Sequence, residues 1–62
     1  MIDELIANSG LTFFQGKYED ALVFAKQAIA EDEHDSNAHQ CAGNAYMSFA
    51  DYESAINHYK KA

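Results

Sequence analysis

Apolar side chains recur along this chain at helical intervals, in four blocks. Ile2, Leu5, Ile6, Leu11, Phe13 and Phe14, with Ser9 among them, make a broad face that predicts a first helix over residues 2–15. Asp3 and Glu4 near its start suit the positive end of the helix dipole. Ala21, Leu22, Phe24, Ala25, Ala28 and Ile29 return at three- and four-residue steps and predict a second helix over 18–30. Ala38, Cys41, Ala42, Ala45, Tyr46 and Phe49 mark the inward side of a third helix over 37–49, and Ala55, Ile56 and Tyr59 that of a fourth over 52–62. The pattern is all-α. Small residues on these stripes let helix axes approach closely, with the large Tyr18 and Phe24 filling the space around the contact.

The breaks between blocks have their own chemistry. In Gln15-Gly16-Lys17 the glycine is free to take the left-handed conformation that ends a helix, and Ala50-Asp51 stands at the corresponding place between the third and fourth helices. Residues 31–35, Glu-Asp-Glu-His-Asp, are the one charge run; acidic groups are unfavourable at a helix end, so this stretch reads as a solvated loop, with Asp35 or Ser36 available to cap the next helix. Phe13 and Phe14 are adjacent and point about 100° apart on a helix, so both cannot face one core. Gly10 inside the first helix costs about 1 kcal/mol against alanine unless close packing accounts for it.

The second and fourth blocks are copies. Tyr18, Glu19, Ala21, Lys26 and Ala28 return 34 positions later as Tyr52, Glu53, Ala55, Lys60 and Ala62, and Leu22 returns as Ile56. A period of this length is what one helix–turn–helix unit of a helical array occupies, which divides the chain into units at 1–34 and 35–62. Ala28 lies two or three residues inside the second helix, so the fourth is expected to be cut short at its counterpart, Ala62.

Charge and composition narrow the partners. Ten acidic against four basic residues leave a net charge of −6, which repels phosphate backbones and favours a basic or apolar partner over nucleic acid. A chain of 62 residues is one small domain at most and buries only about 60% of the surface its unfolded form exposes, so neighbours are expected to support it. No apolar run approaches the ~20 residues that span a bilayer, and the acidic start Met-Ile-Asp-Glu-Leu is unlike a secretory signal. A single cysteine, Cys41, forms no internal disulfide, and a reducing, cytoplasmic home is the simplest expectation.

Gly43-Asn44-Ala45-Tyr46, then Asp51-Tyr52-Glu53-Ser54-Ala55-Ile56 and Tyr59-Lys60-Lys61-Ala62, resemble the tetratricopeptide repeat. In the first unit Gly16, Tyr18, Ala21, Ala25, Ala28 and Ile29 carry the same likeness, while Ser9 stands for the small glycine and Thr12 for the core tyrosine. His39 replaces the usual tryptophan and Glu33 the usual proline before the next unit, which leaves the acidic loop free to straighten and join the second and third helices. The resemblance implies a stacked, right-handed α–α solenoid belonging to a larger array. By the same likeness Gly43 permits close packing within its hairpin and Tyr46 fills the hairpin core. It also implies a concave groove, lined by the first helix of each unit, that takes a peptide or a partner helix. By position the groove residues are Ile6, Gly10, Phe13 and Phe14 of the first unit, beside Asp3, and Asn37, Gln40, Asn44, Met47 and Ser48 of the second.

Other chemistries find no support. The three histidines, Cys41 and Asp35 offer only Asp35 and His39 at a helical ligand spacing, so no metal or other cofactor is expected. Cys41 alternates with alanines as a small core residue does. No Gly-rich phosphate loop, no Ser/His/Asp arrangement and no paired inward carboxylates point to an enzyme. The expected function is a protein-interaction scaffold that binds through its groove. The alternative is a self-assembling homo-oligomer that covers its own repeat ends, with hairpins swapped by opening at residues 31–35.

Overall fold

The computed structural model describes residues 1–62 as four helices and no strand: α1 (Ile2–Phe14), α2 (Tyr18–Glu31), α3 (Ser36–Ser48) and α4 (Tyr52–Lys61). Each boundary falls within one residue of the expected one. Helices pack on their sequence neighbours, α1 on α2, α2 on α3 and α3 on α4, with a lighter contact between α1 and α3. The exposed surface of 4048 Å² is close to the ~4000 Å² expected of a folded monomer of this mass, so the two hairpins close on one another rather than splay. No helix is long and apolar enough to cross a membrane.

The core is a seam of alanine. Ala21, Ala25 and Ala28 of α2, Ala38, Ala42 and Ala45 of α3 and Ala55 of α4 are fully buried, and no large side chain is. With no bulky group between them, the helix backbones meet closely, and dispersion between backbones replaces the interlocking of long side chains. Ser9 takes the same place on α1: it is buried and its hydroxyl donates to the Ala21 carbonyl at 2.8 Å, so the polar atom costs nothing unmet. Its counterpart 34 positions on, Gly43, lies under the ring of Tyr59, whose carbons stand 2.5 to 2.9 Å from where a Cβ would be.

Both hairpin turns use one device. The Lys17 N–H reaches the Thr12 carbonyl at 2.8 Å and the Gly16 N–H the Phe13 carbonyl at 3.0 Å; the Asp51 and Ala50 N–H groups bond Tyr46 and Met47 at 3.0 Å each in the same way. Such a turn puts the residue after the helix in the left-handed region. Gly16 sits there freely at φ 81°, whereas Ala50 holds φ 60° against its own Cβ.

The acidic loop turns rather than straightens. Asp32 accepts from the His34 N–H at 3.0 Å, its carbonyl accepts from the Asp35 N–H at 3.1 Å, and the Asp35 side chain caps α3 through the Ala38 N–H at 3.0 Å. Hydrogen bonds from two aspartates do here what a proline ring would do by restricting φ. Asp35, not Ser36, is the cap.

Three inward assignments fail. Ile56 is 51% exposed, Phe49 45% and Tyr59 39%. For Ile56 and Tyr59 the reason is that α4 touches only α3, so the sides they turn from α3 are uncovered, whereas Phe49 lies past the end of α3, at the turn. Cys41 and Tyr46 are half-buried rather than core. Conversely His39 is buried.

Two substitutions test this packing. Gly43→Ala should destabilise the domain by about 1–2 kcal/mol in urea unfolding, because overpacking against Tyr59 outweighs the ~1 kcal/mol that alanine gains in a helix. In a Tyr59→Ala background the same change should turn stabilising. Ala50→Gly should stabilise by about 1 kcal/mol by removing the left-handed strain, and Gly16→Ala should cost a similar amount.

Candidate partner-binding surface

The expected groove residues divide into three groups. Gly10, Phe13 and Asn44 come together with Ser9 and Cys41 around one small depression at the α1–α3 contact. Phe14, Asn37, Gln40, Met47 and Ser48 are exposed outside it, as is Asp3, and Ile6 is half-buried away from it. The Ser48 hydroxyl is taken up by the Ala45 carbonyl of its own helix.

Within the depression each residue has a visible reason for its place. Phe13 is half-buried and meets Tyr18 edge-on, with centroids 5.3 Å apart and planes at 60°, which fixes the ring at the mouth of the first hairpin. Phe14, one position on, is turned away and is 90% exposed, as the 100° step between neighbours requires. Asn44 accepts a 2.6 Å hydrogen bond from the Tyr59 hydroxyl through Oδ1, so its amide NH₂ remains the group free to donate. Gly10 has open space where a Cβ would stand. No packing demand explains this glycine; its effect is to leave bare helix backbone at the rim. Burial pushes the Cys41 thiol up, the neighbouring Ser9 hydroxyl partly counters this, and nearby Asp35 adds to the rise. The thiol at the floor is therefore protonated and chemically quiet at neutral pH.

Elsewhere the surface offers less. The widest depression lies between the start of α1 and the end of α2, lined by Met1, Glu4, Leu5, Asn8 and Glu31 among others, and it is shallow and open.

A pair that spacing alone did not reveal lies between α3 and α4. His39 Nε2 is 2.6 Å from the Glu33 carbonyl, which can only accept, so that nitrogen carries hydrogen and Nδ1 is left with a lone pair. His58 Nδ1–H then donates to it at 2.9 Å, and the Tyr46 ring stacks on His58 with centroids 5.3 Å apart. The chain Glu33–His39–His58 thus links the inter-unit loop to the last helix. An antiparallel hairpin brings these two histidines near each other, so the predicted α3–α4 turn was the signal for them. No group of three or more His, Cys, Asp or Glu residues is gathered closely enough to hold a metal ion.

Compared with protein-family models, with curated proteins and with solved structures, the chain matches none. The functional reading therefore rests on the residues and their arrangement.

The histidine pair makes stability depend on pH. Burial lowers the His58 pKa below its ordinary 6.5, and the charges of His39, Lys61 and Lys26 lower it further. A depressed pKa means that the unfolded chain binds the proton more tightly, so the stability His58 contributes is complete above about pH 6.5 and is lost as pH falls through the folded-state value. Thermal unfolding between pH 8 and pH 5 should show the midpoint falling in the lower half of that range, with a shallower fall in His58→Gln.

Proposed function

We propose that this chain is a pair of tetratricopeptide-type units, stacked as a short right-handed solenoid, and that it works as a non-catalytic scaffold holding an extended or helical peptide against the α1–α3 face. The observation that carries the reading is the convergence of Gly10, Phe13 and Asn44, from the first helix of each unit, on one depression. It contains an aromatic wall, a free amide donor and an uncovered stretch of helix backbone, which is how a site recognises main chain together with an apolar side chain. Phe14, one position on from Phe13 and turned away from the depression, is 90% exposed at the same end of α1. A ring of that size is a natural anchor for a partner's apolar group. The net charge of −6 favours basic ligands and speeds their approach.

The test is an amide-resonance titration of the labelled protein with a pool of lysine-containing, leucine- and phenylalanine-bearing ten-residue peptides. Shifts are expected at Gly10, Phe13, Cys41 and Asn44. Phe14→Ala is expected to weaken binding by about tenfold, a typical loss for an aromatic anchor, with helicity unchanged. Shifts confined to α2 and α4, or equal binding by Phe14→Ala, would remove the groove reading.

A further inference from the structure

One stripe of α4 carries three large apolar side chains, the last of which, Tyr59, also lays its ring on Gly43 of α3. Tyr52, Ile56 and Tyr59 follow one another at steps of four and three and are 58%, 51% and 39% exposed. On α2, which packs against both α1 and α3, Leu22, the counterpart of Ile56, is half-buried, and Tyr18, the counterpart of Tyr52, is less exposed at 39%. We propose that a second copy of this chain covers the α4 stripe, through an antiparallel, two-fold α4–α4 contact centred on Ile56.

Three observations select that occupant and that geometry. The first is charge. All of the net −6 lies in residues 1–50, whereas residues 51–62 balance Asp51 and Glu53 against Lys60 and Lys61. Two copies of an acidic molecule repel one another less at this balanced segment than at the acidic start of α1 or the acidic α2–α3 loop. The second is the order of those charges. Glu53 and Lys60 are seven positions apart, so they lie on the same flank of the stripe, and neither has an ion-pair partner within the chain. A two-fold axis at Ile56 reverses one helix against the other and sets Glu53 of each copy beside Lys60 of its mate; a parallel pair would not. Opposed helix dipoles favour the same orientation.

The third observation excludes the other route, in which α4 of one copy stacks on α1 of the next as α2 does on α3. The positions of α3 that are buried there, Ala38, Ala42 and Ala45, correspond on α1 to Glu4, Asn8 and Leu11. Two polar groups and a larger side chain replace three alanines, so α1 cannot be approached as closely. The contact uses a face different from that of the peptide reading and does not depend on it. A stripe of three side chains falls below the area of a stable interface, so the association is weak, with a dissociation constant on the order of 0.1 mM.

The experiment is sedimentation equilibrium of the 62-residue chain from about 10 μM to 1 mM, a range that brackets that constant, at near-physiological salt, with circular dichroism on each sample. The mass is expected to rise toward twice that of the chain, and Ile56→Glu to remain monomeric and helical. Glu53→Lys and Lys60→Glu should each weaken association at least tenfold, because like charges then face each other. An equimolar mixture of the two should associate as the unmodified chain does, since both cross-pairs are restored with reversed sign. Val23→Glu, on the exposed side of α2, should leave the association unchanged. A monomer throughout the range overturns the proposal. So does a dimer that survives Ile56→Glu, which is the result expected of swapped hairpins or of a contact through another face. Failure of the charge-reversed mixture to recover overturns the antiparallel geometry.

Discussion

Close approach of helix backbones is the constraint on which the rest of this structure depends. Every fully buried apolar position is an alanine, and the two remaining crossing points are held by Ser9 and Gly43. In a chain of this size a core of leucines would also be possible, but it would set the helices farther apart and open gaps that so few residues could not fill. The alanine seam solves the packing differently, and the solution is intolerant: one added carbon at Gly43 meets the ring of Tyr59. The satisfied hydroxyl of Ser9 shows how narrowly polarity is admitted to the same seam.

A core of small residues has a second effect, which is to send the large ones outward. Phe14, Phe49, Tyr52, Ile56 and Met47 are all at least 45% exposed. They fall on two sides of the molecule. Phe14 and Met47 belong to the helices that begin each unit, while Tyr52 and Ile56 belong to the last helix. Between these sides the histidine pair and the acidic loop form a polar girdle, with the Glu33 carbonyl, His39 and His58 in a single line of hydrogen bonds.

Helix limits, turn positions and the pairing of α1 with α2 and of α3 with α4 were legible in the sequence because they are set locally. Gly16, the Asp35 cap and the alanine stripes act through neighbours within a few residues. The inward placement of Ile56 and Tyr59 was misread because periodicity states which residues share a face, not whether anything covers that face. For Leu22 a third helix does; for Ile56 none does. His39 was missed for a related reason: its burial depends on one partner 19 positions away and on one carbonyl six positions back, and no stripe records either. Gly10, Phe13 and Asn44 share one depression between α1 and α3, whereas the capture of the Ser48 hydroxyl by its own helix was not legible in the sequence.

The order of contacts along the chain bears on how the domain assembles. Because each helix packs mainly on the next, nearly every favourable contact closes a loop of one hairpin's length, and the entropic barrier to search is small. The two hairpins are unequal starting points. The first turns at a glycine that meets no steric resistance, whereas the second must bring Ala50 to φ 60° before α4 can lie back on α3. The two turns therefore close at different cost, the second carrying a left-handed strain that the first avoids.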